Sequence, residues 1–253
     1  MLTHPGTDTA IGVDYDIEGS GEIKPWETPS RYLSLKAVLD VAAASVLAVV
    51  LLPVILISMI VVKLTSPGPS IYSQIRLGRD GRPFRIYKIR TMRCDSEVNT
   101  GPRWSSKSDP YVTPVGRFLR KSHLDELPQL WNILKGEMSL VGPRPERPEF
   151  VSNLEKDVPR YCERLLVRPG VTGLAQIQLP PDVDLNSVRR KLVCDLAYIE
   201  RLGFSLDLRI LLCTAMGMIG IPYARTRGAL GIPTLVQFDE VVSPDPTVLS
   251  VGA

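Results

Sequence analysis

Residues 41–62 read VAAASVLAVVLLPVILISMIVV, a run of 22 residues with no charge. At ~1.5 Å per residue, such a helix matches the ~30 Å hydrocarbon core of a bilayer. The run starts too far into the chain, and is too long, for an ordinary signal peptide, and no small-residue cleavage site follows it. Pro53 divides it. A proline inside a helix removes one backbone hydrogen bond and crowds the preceding turn, so it kinks the helix. The arms on either side, 41–52 and 54–63, rise about 18 Å and about 15 Å, each near half of the hydrocarbon core. A helix that dips into one leaflet and returns therefore fits as well as one that crosses. Arg31 and Lys36 precede the run, and Lys63 and Arg76 follow it. That bias places the downstream chain in the cytoplasm under either topology. Asp40, at the entry, should lie at headgroup level or pair with Lys36, because a lone buried carboxylate is costly.

The chain of 253 residues is long enough for one sizeable domain with additions, or for two small ones. A net charge of +3 hides an asymmetry along the chain. Residues 1–30 carry six acids and one base, with Gly, Thr and Pro scattered among them, which predicts a disordered acidic tail. Residues 63–121 carry 13 bases against four acids. Such a field attracts anions: phosphates, nucleic acids or acidic lipid. The four cysteines are widely separated and form no CxxC pair, so neither a zinc site nor a disulfide framework is expected. With only His4 and His123 available, a His-rich metal site or a His-based triad is excluded.

Downstream of the apolar run, two β-type stretches, 71–77 and 84–90, flank GRDGRP and predict a hairpin. Residues 93–113 read as a polar loop, and 115–121 and 123–135 as two helices. The segment VGPRPERPEFV (141–151) has too many prolines for a regular element, and 161–177 ends in a turn and a short apolar run. Leu185, Val188, Leu192, Leu196 and Ile199 recur at helical spacing with Arg189, Arg190 and Lys191 opposite, an amphipathic helix. Residues 206–219 are apolar apart from Asp207 and Arg209 and suit a core or membrane-surface helix. From 221 to 253 a flexible tail is expected. Trp131 reads as a core residue.

Asp125 and Glu126 stand together in SHLDELPQLWN. One reading is structural: Ser122 followed by Asp125 resembles a capping box, and acids suit a first helical turn. The other is chemical. Arg117, Arg120 and Lys121 precede the pair and Arg144 follows it. Carboxylates in a cationic field stay ionised, and an ionised Asp is a nucleophile. Adjacent helical residues point ~100° apart, so one acid could attack while the other held a metal; oxygen donors beside substrate phosphates suit Mg²⁺. Arginine forks bind phosphate oxygens, and a helix N-terminus offers N–H groups to an anion. Together with the apolar run, these parts describe a membrane-bound enzyme acting on a phosphate anhydride.

SPGPSIYSQIRLGRDGRPFRIYKIRTM (66–92), LRKSHLDELPQLWNILKGEMSLVGPRP (119–145) and RPGVTGLAQI (168–177), behind the apolar run, resemble the bacterial sugar transferase family. These are the monotopic phosphoglycosyl transferases that begin exopolysaccharide, capsule and O-antigen assembly, and the likeness covers about residues 32–220. It implies a sugar 1-phosphate passed from a UDP-sugar to undecaprenyl phosphate with loss of UMP. Asp125 would be the nucleophile, through a phosphosugar–aspartyl intermediate, and Glu126 would position Mg²⁺, with Asp125 as the second acidic oxygen donor. Arg120 and Arg144 match arginines near the phosphates; Lys88 and Arg90, in KIRTM, would support the dyad; Arg168, in VRPG, is a candidate for the nucleotide pocket. Two departures are visible: Leu52 replaces the serine many members carry before the helix-breaking proline, and GLAQIQLPP replaces the usual GWAQV run, which bears on the donor pocket.

The implied fold class is α+β and mainly helical. It joins a re-entrant membrane helix broken at a proline (31–63), a small β-hairpin, and a compact cytosolic helical catalytic domain (64–220) with amphipathic membrane-surface helices. The implied location is the cytoplasmic face of a bacterial inner membrane, in contact with membrane lipids, with a homodimer allowed. A non-catalytic membrane scaffold and a basic nucleic-acid-binding protein are the rival classes; the second is disfavoured because aromatic residues are only 6% of the chain and the basic stretch adjoins the lipid-embedded run.

Overall fold

The computed structural model describes residues 30–94 and 109–234. The predicted acidic tail, all but the ends of the predicted polar loop, and the last 19 residues lie outside the described part. Helix α1 spans Ser30–Thr65 and carries Pro53 inside it. The helix runs through Pro53, so the proline lies within it rather than at its end. Where backbone groups have no water to turn to, losing one hydrogen bond at Pro53 costs less than leaving several unpaired at a helix end. One face of α1 packs on the rest of the protein along its length: Lys36, Asp40, Ala44, Ser58 and Val62 are all buried. The other face exposes Val38, Val46, Val49, Val50, Ile57 and Leu64.

Both arms of α1 are fastened to the same body. In the N-terminal arm, Lys36 Nζ lies 2.7 Å from Asp207 Oδ2, and the Tyr32 hydroxyl donates to the same oxygen at 2.6 Å. Asp40 pairs with Lys36 at 3.7 Å, the second of the two arrangements expected for it, and accepts from the Leu140 N–H at 3.2 Å. In the C-terminal arm, Val62 packs with Ile89 and Leu119.

Strands β1 (Ile71–Leu77) and β2 (Pro83–Ile89) form the predicted antiparallel hairpin, with Ile71 opposite Ile89 and Leu77 opposite Pro83. Asp80 and Gly81 have φ of 57° and 71°, the left-handed conformation a tight turn demands and that Gly and Asp tolerate best. Phe84 and Ile86 of β2 bury against Ala44. On the far side of β2, the Asn132 amide donates to the Arg85 carbonyl at 2.7 Å and its oxygen accepts from the Tyr87 N–H at 3.3 Å.

Helix α2 (Pro114–Lys121) opens with Thr113 accepting from the Gly116 N–H and with a proline at its first turn. The single helix predicted over 123–135 is two elements: a 3₁₀ helix, Leu124–Gln129, and the short α3, Leu130–Leu134. Pro128 accounts for the split, since it offers no N–H and disfavours α geometry at Leu127. The predicted capping box is absent. Ser122 closes α2 instead, donating to the Phe118 carbonyl at 2.9 Å, and His123 turns the chain at φ 57°. Trp131, expected in the core, is 58% exposed; its neighbours Leu130, Asn132 and Ile133 take the inward positions.

Strand β3 (Ser139–Val141) pairs in parallel with β4 (Gly170–Thr172). Between them the proline-rich segment stays extended to Arg147, after which Pro148 starts α4 (Pro148–Asp157); a second 3₁₀ helix follows over Tyr161–Leu166. Helices α5 (Leu174–Gln178), α6 (Leu185–Glu200), α7 (Phe204–Met218) and α8 (Tyr223–Ala229) complete the described chain. The α6 N-terminus is a true capping box, Asp184 with Ser187. Val188, Leu192, Leu196 and Ile199 are buried in the main core while Arg189 and Arg190 are exposed, so α6 is amphipathic as predicted, except that Leu185, expected on the apolar face, is exposed. Helix α7 turns Ile210 and Cys213 inward and leaves Phe204, Leu208, Leu212 and Met218 exposed. Where a flexible tail is expected from 221, the described residues are ordered into the fold: α8 occupies 223–229, Thr226 is buried, and Ile232 joins the core. Seven residues are too few to print a helical period in sequence.

Candidate active site

Asp125 and Glu126 occupy the first turn of the 3₁₀ helix, a turn that lies against β2 and beside α1 and α2. Both acids are turned in: Asp125 is 8% exposed, and the Glu126 side chain is nearly as buried. Lys88 approaches from β2, its Nζ 2.7 Å from Glu126 Oε1. Arg144 approaches the same oxygen from the extended segment after β3, its Nη2 at 2.9 Å. Arg144 is exposed between Pro143 and Pro145, both buried, so the two prolines plug the chain into the core while the arginine is presented outward. Arg120, on α2, donates from Nε to Thr91 Oγ1 at 2.9 Å, and its charge acts on Asp125.

The two acids are not electrostatically equal. Burial alone would raise the Glu126 carboxyl, but Arg144 and Lys88 outweigh it and hold the group well below the usual carboxylate range. For Asp125 the balance is reversed. Burial, with the neighbouring Glu126 charge, pushes its carboxyl from an ordinary 3.8 up to about 6, against the pull of Lys88, Arg120 and Arg144. The sequence predicts two carboxylates kept ionised by one cationic field; the structure assigns most of that field to Glu126. Burial lowers the Lys88 ammonium, with Glu126 opposing. Asp125 is therefore still ionised at neutral pH but is desolvated, and a poorly solvated carboxylate is a reactive one.

Five of the seven predicted residues thus meet: Asp125, Glu126, Lys88, Arg120 and Arg144. Arg90 and Arg168 do not join them. Arg90 is buried, and its guanidinium donates to the Ser66 carbonyl and Ser66 Oγ, each at 2.8 Å, and to the Pro67 carbonyl. It ties the end of α1 to the end of β2, a structural task, because the carbonyls after the last turn of a helix need donors. Arg168 sits beside the Gly136 turn that follows α3. Sequence reasoning missed Asn132, which fixes the strand bearing Lys88, and Thr91, which orients Arg120. The polar residue Asn132 inside an otherwise apolar helical stretch was the available signal.

No cluster of three or more His, Cys, Asp and Glu side chains converges among the described residues. Asp125 and Glu126 are the acidic oxygens available to a divalent ion here, and two carboxylates suit Mg²⁺ whose remaining positions are filled by water and substrate phosphates.

The buried acid pair and the three cations around it lie on the same body as a helix long and apolar enough, by length and composition, to cross a membrane. Residues 31–220 match the bacterial sugar transferase family, and the chain belongs to that family. A Bacillus subtilis (strain 168) relative is 45% identical over 139 residues, which is 55% of this chain and 77% of the relative. The UDP-glucose:undecaprenyl-phosphate glucose-1-phosphate transferase of Caulobacter vibrioides is 40% identical over 188 residues, 73% of this chain and 69% of that protein. The UDP-N-acetylgalactosamine-undecaprenyl-phosphate N-acetylgalactosaminephosphotransferase of Aeromonas hydrophila is 39% identical over 183 residues, 72% of this chain but only 43% of that longer protein.

Proposed function

We propose that this protein is a phosphoglycosyl transferase that moves a sugar 1-phosphate from a UDP-sugar to undecaprenyl phosphate, releases UMP, and so initiates synthesis of an exopolysaccharide, capsule or O-antigen. The observation that carries it is the geometry of the dyad: two adjacent buried acids, of which Glu126 takes the Lys88 and Arg144 contacts at its Oε1, at 2.7 Å and 2.9 Å, an inequality reflected in the raised Asp125 carboxyl. In the first step an Asp125 carboxylate oxygen attacks the sugar-bearing phosphorus. The bond from that phosphorus to the bridging oxygen breaks, and UMP leaves with the electron pair. In the second, a phosphate oxygen of undecaprenyl phosphate attacks the acylphosphate phosphorus, and Asp125 departs as carboxylate. Arg120 and Arg144 would bind phosphate oxygens through their forks. Mg²⁺ supplies charge neutralisation at the diphosphate, with Glu126 and Asp125 as the oxygens that would hold it.

The packing of α1 supports a re-entrant helix on the cytoplasmic face of the inner membrane. Lys36 and Val62 are 26 residues apart, ~39 Å along a straight helix, which exceeds a ~30 Å hydrocarbon core. Were α1 to cross, one of them would lie on the far side of the bilayer, yet both are fastened to the same body. The exposed stripe Phe204, Leu208, Leu212 and Met218 on α7 suits contact with lipid.

The test is UMP release from a panel of UDP-sugars, including UDP-glucose and UDP-N-acetylgalactosamine, with undecaprenyl phosphate and Mg²⁺. Turnover with at least one donor, abolished in Asp125→Asn while membrane binding persists, is expected. Full activity in that variant removes Asp125 as nucleophile, and no release from any donor removes the transferase reading.

A further inference from the structure

Four consecutive carbonyls around Arg144 are each held by a donor. Pro143 O accepts from the Gly170 N–H of β4 at 2.9 Å and Glu146 O from the Leu77 N–H of β1 at 3.0 Å. Pro145 O accepts from Arg76 Nη1 at 3.3 Å. Arg144 O accepts from Arg164 Nη2 at 3.0 Å. Three of these donors belong to the sheets or their hairpin. Arg164 is the exception, a charged side chain from the second 3₁₀ helix, and it touches the very peptide that carries the arginine of the dyad.

Arg164 is built in. It is 7% exposed, and its partners Asp195 and Tyr161 are 2% and 3% exposed. Its Nε and Nη2 reach Asp195 Oδ2 at 3.1 Å and 2.8 Å, and Nη1 donates to the Tyr161 hydroxyl at 2.7 Å. Its guanidinium carbon also lies 5.1 Å from the Tyr161 ring centroid. A buried ion pair of this kind seldom stabilises a fold more than apolar residues of the same volume would. What it does supply is a fixed direction: Nε and one N–H of Nη2 are committed to Asp195 of α6, and one N–H of Nη1 to Tyr161 of the 3₁₀ helix, which aims the other Nη2 N–H at Arg144 O.

We propose that Arg164, held by Asp195 and Tyr161, is a positioning residue that sets the Arg144 backbone so that the Arg144 guanidinium meets Glu126 at 2.9 Å. Neither Arg164 nor Asp195 touches the dyad; the effect passes through one peptide carbonyl. This rests on the reading of Glu126 and Arg144 as active-site residues. A lysine at 164 keeps the charge but cannot reach Asp195, Tyr161 and the Arg144 carbonyl together. The Arg144 side chain then loses its fixed origin, and a misplacement of ~1 Å costs on the order of 100-fold in rate.

The experiment compares Arg164→Lys, Tyr161→Phe, Arg144→Ala and the Arg164→Lys/Arg144→Ala double variant. Transfer is followed by kcat and KM for the donor, and Arg144 reactivity by phenylglyoxal labelling and mass spectrometry. Tyr161→Phe, the milder change, serves if the lysine variant does not fold. Expected are a kcat loss of roughly 10- to 100-fold in Arg164→Lys, no further loss when it is added to Arg144→Ala, and faster labelling of Arg144 in both Arg164→Lys and Tyr161→Phe. Losses that multiply in the double variant overturn the proposal, as does Arg144 labelling at the wild-type rate. A wild type that releases no UMP would instead defeat the transferase reading, and the labelling rates would still decide the role of Arg164.

Discussion

Replacing Asp125 by asparagine should make the protein more stable as well as inactive. The Asp125 carboxyl titrates at about 6 in the folded chain, against an ordinary 3.8. Between those values the native state holds a proton that the unfolded chain has lost, so stability falls as pH rises through the window, and the full penalty is present above pH 6. At 1.36 kcal/mol per unit of pKa, a shift of roughly two units costs about 3 kcal/mol at pH 7.5. Asparagine fills the same space without a charge and removes that cost. For a chain of this size, 1 kcal/mol moves the melting temperature by ~2–4 °C, so the variant should melt roughly 6–12 °C higher at pH 7.5. At pH 4, where the folded wild type is itself protonated, the gain should shrink to a degree or two. Thermal unfolding of the detergent-solubilised proteins at both pH values measures this directly. A variant that melts at or below wild type at pH 7.5, or whose gain is equal at both pH values, refutes the claim that Asp125 is held as a desolvated carboxylate.

The same group sets the acid limb of the reaction: with half of Asp125 protonated near pH 6, the single-turnover rate of UMP release at pH 5 should be about one-tenth of that at pH 7, and a rate unchanged down to pH 4.5 would exclude Asp125 as the attacking group. Removing Lys36 leaves Asp207 buried beside two tyrosine hydroxyls; Lys36→Met should cost about 3–5 kcal/mol, seen as a fall in melting temperature, and should let a cysteine placed near residue 30 become accessible from the far side of the membrane. Gly116 meets the Thr91 carbonyl so closely that a Cβ would overlap it; Gly116→Ala should displace α2 and lose about 1–3 kcal/mol, and an unchanged melting temperature would show that α2 has room to spare.

The hairpin could be read from sequence because its alternation, its turn residues and its boundaries all point to one answer, and α1 because few structures other than a lipid-facing helix use 22 uncharged residues. The 3₁₀ helix of the dyad could not. LDELPQ carries a helical pattern, and only the tertiary fit around Pro128 decides that the turn tightens and that the acids face inward. Strands β3 and β4 are three residues each, too short for any period, and their parallel pairing joins segments 31 residues apart. In the site, charge and order in the chain draw attention to Arg120 and Arg144, and the resemblance to the family adds Lys88. The same resemblance misleads for Arg90: two residues beyond Lys88, it would share that residue's face if the strand continued, but β2 ends at Ile89 and Arg90 turns to the end of α1. Asp207, the anchor of Lys36, looks in sequence like a stray charge in an apolar helix, because its three partners come from α1 and α6.

The amide of Asn132 makes the two hydrogen bonds to β2 that a peptide group of a third strand would make. A two-stranded sheet leaves open edges, and an open edge is a template on which another chain can pair. Here the inviting stretch of β2, between Arg85 and Tyr87, is closed by a side chain that cannot itself be extended into a strand. The hairpin can thus carry Lys88 on a short, basic ribbon without becoming a nucleus for aggregation during synthesis.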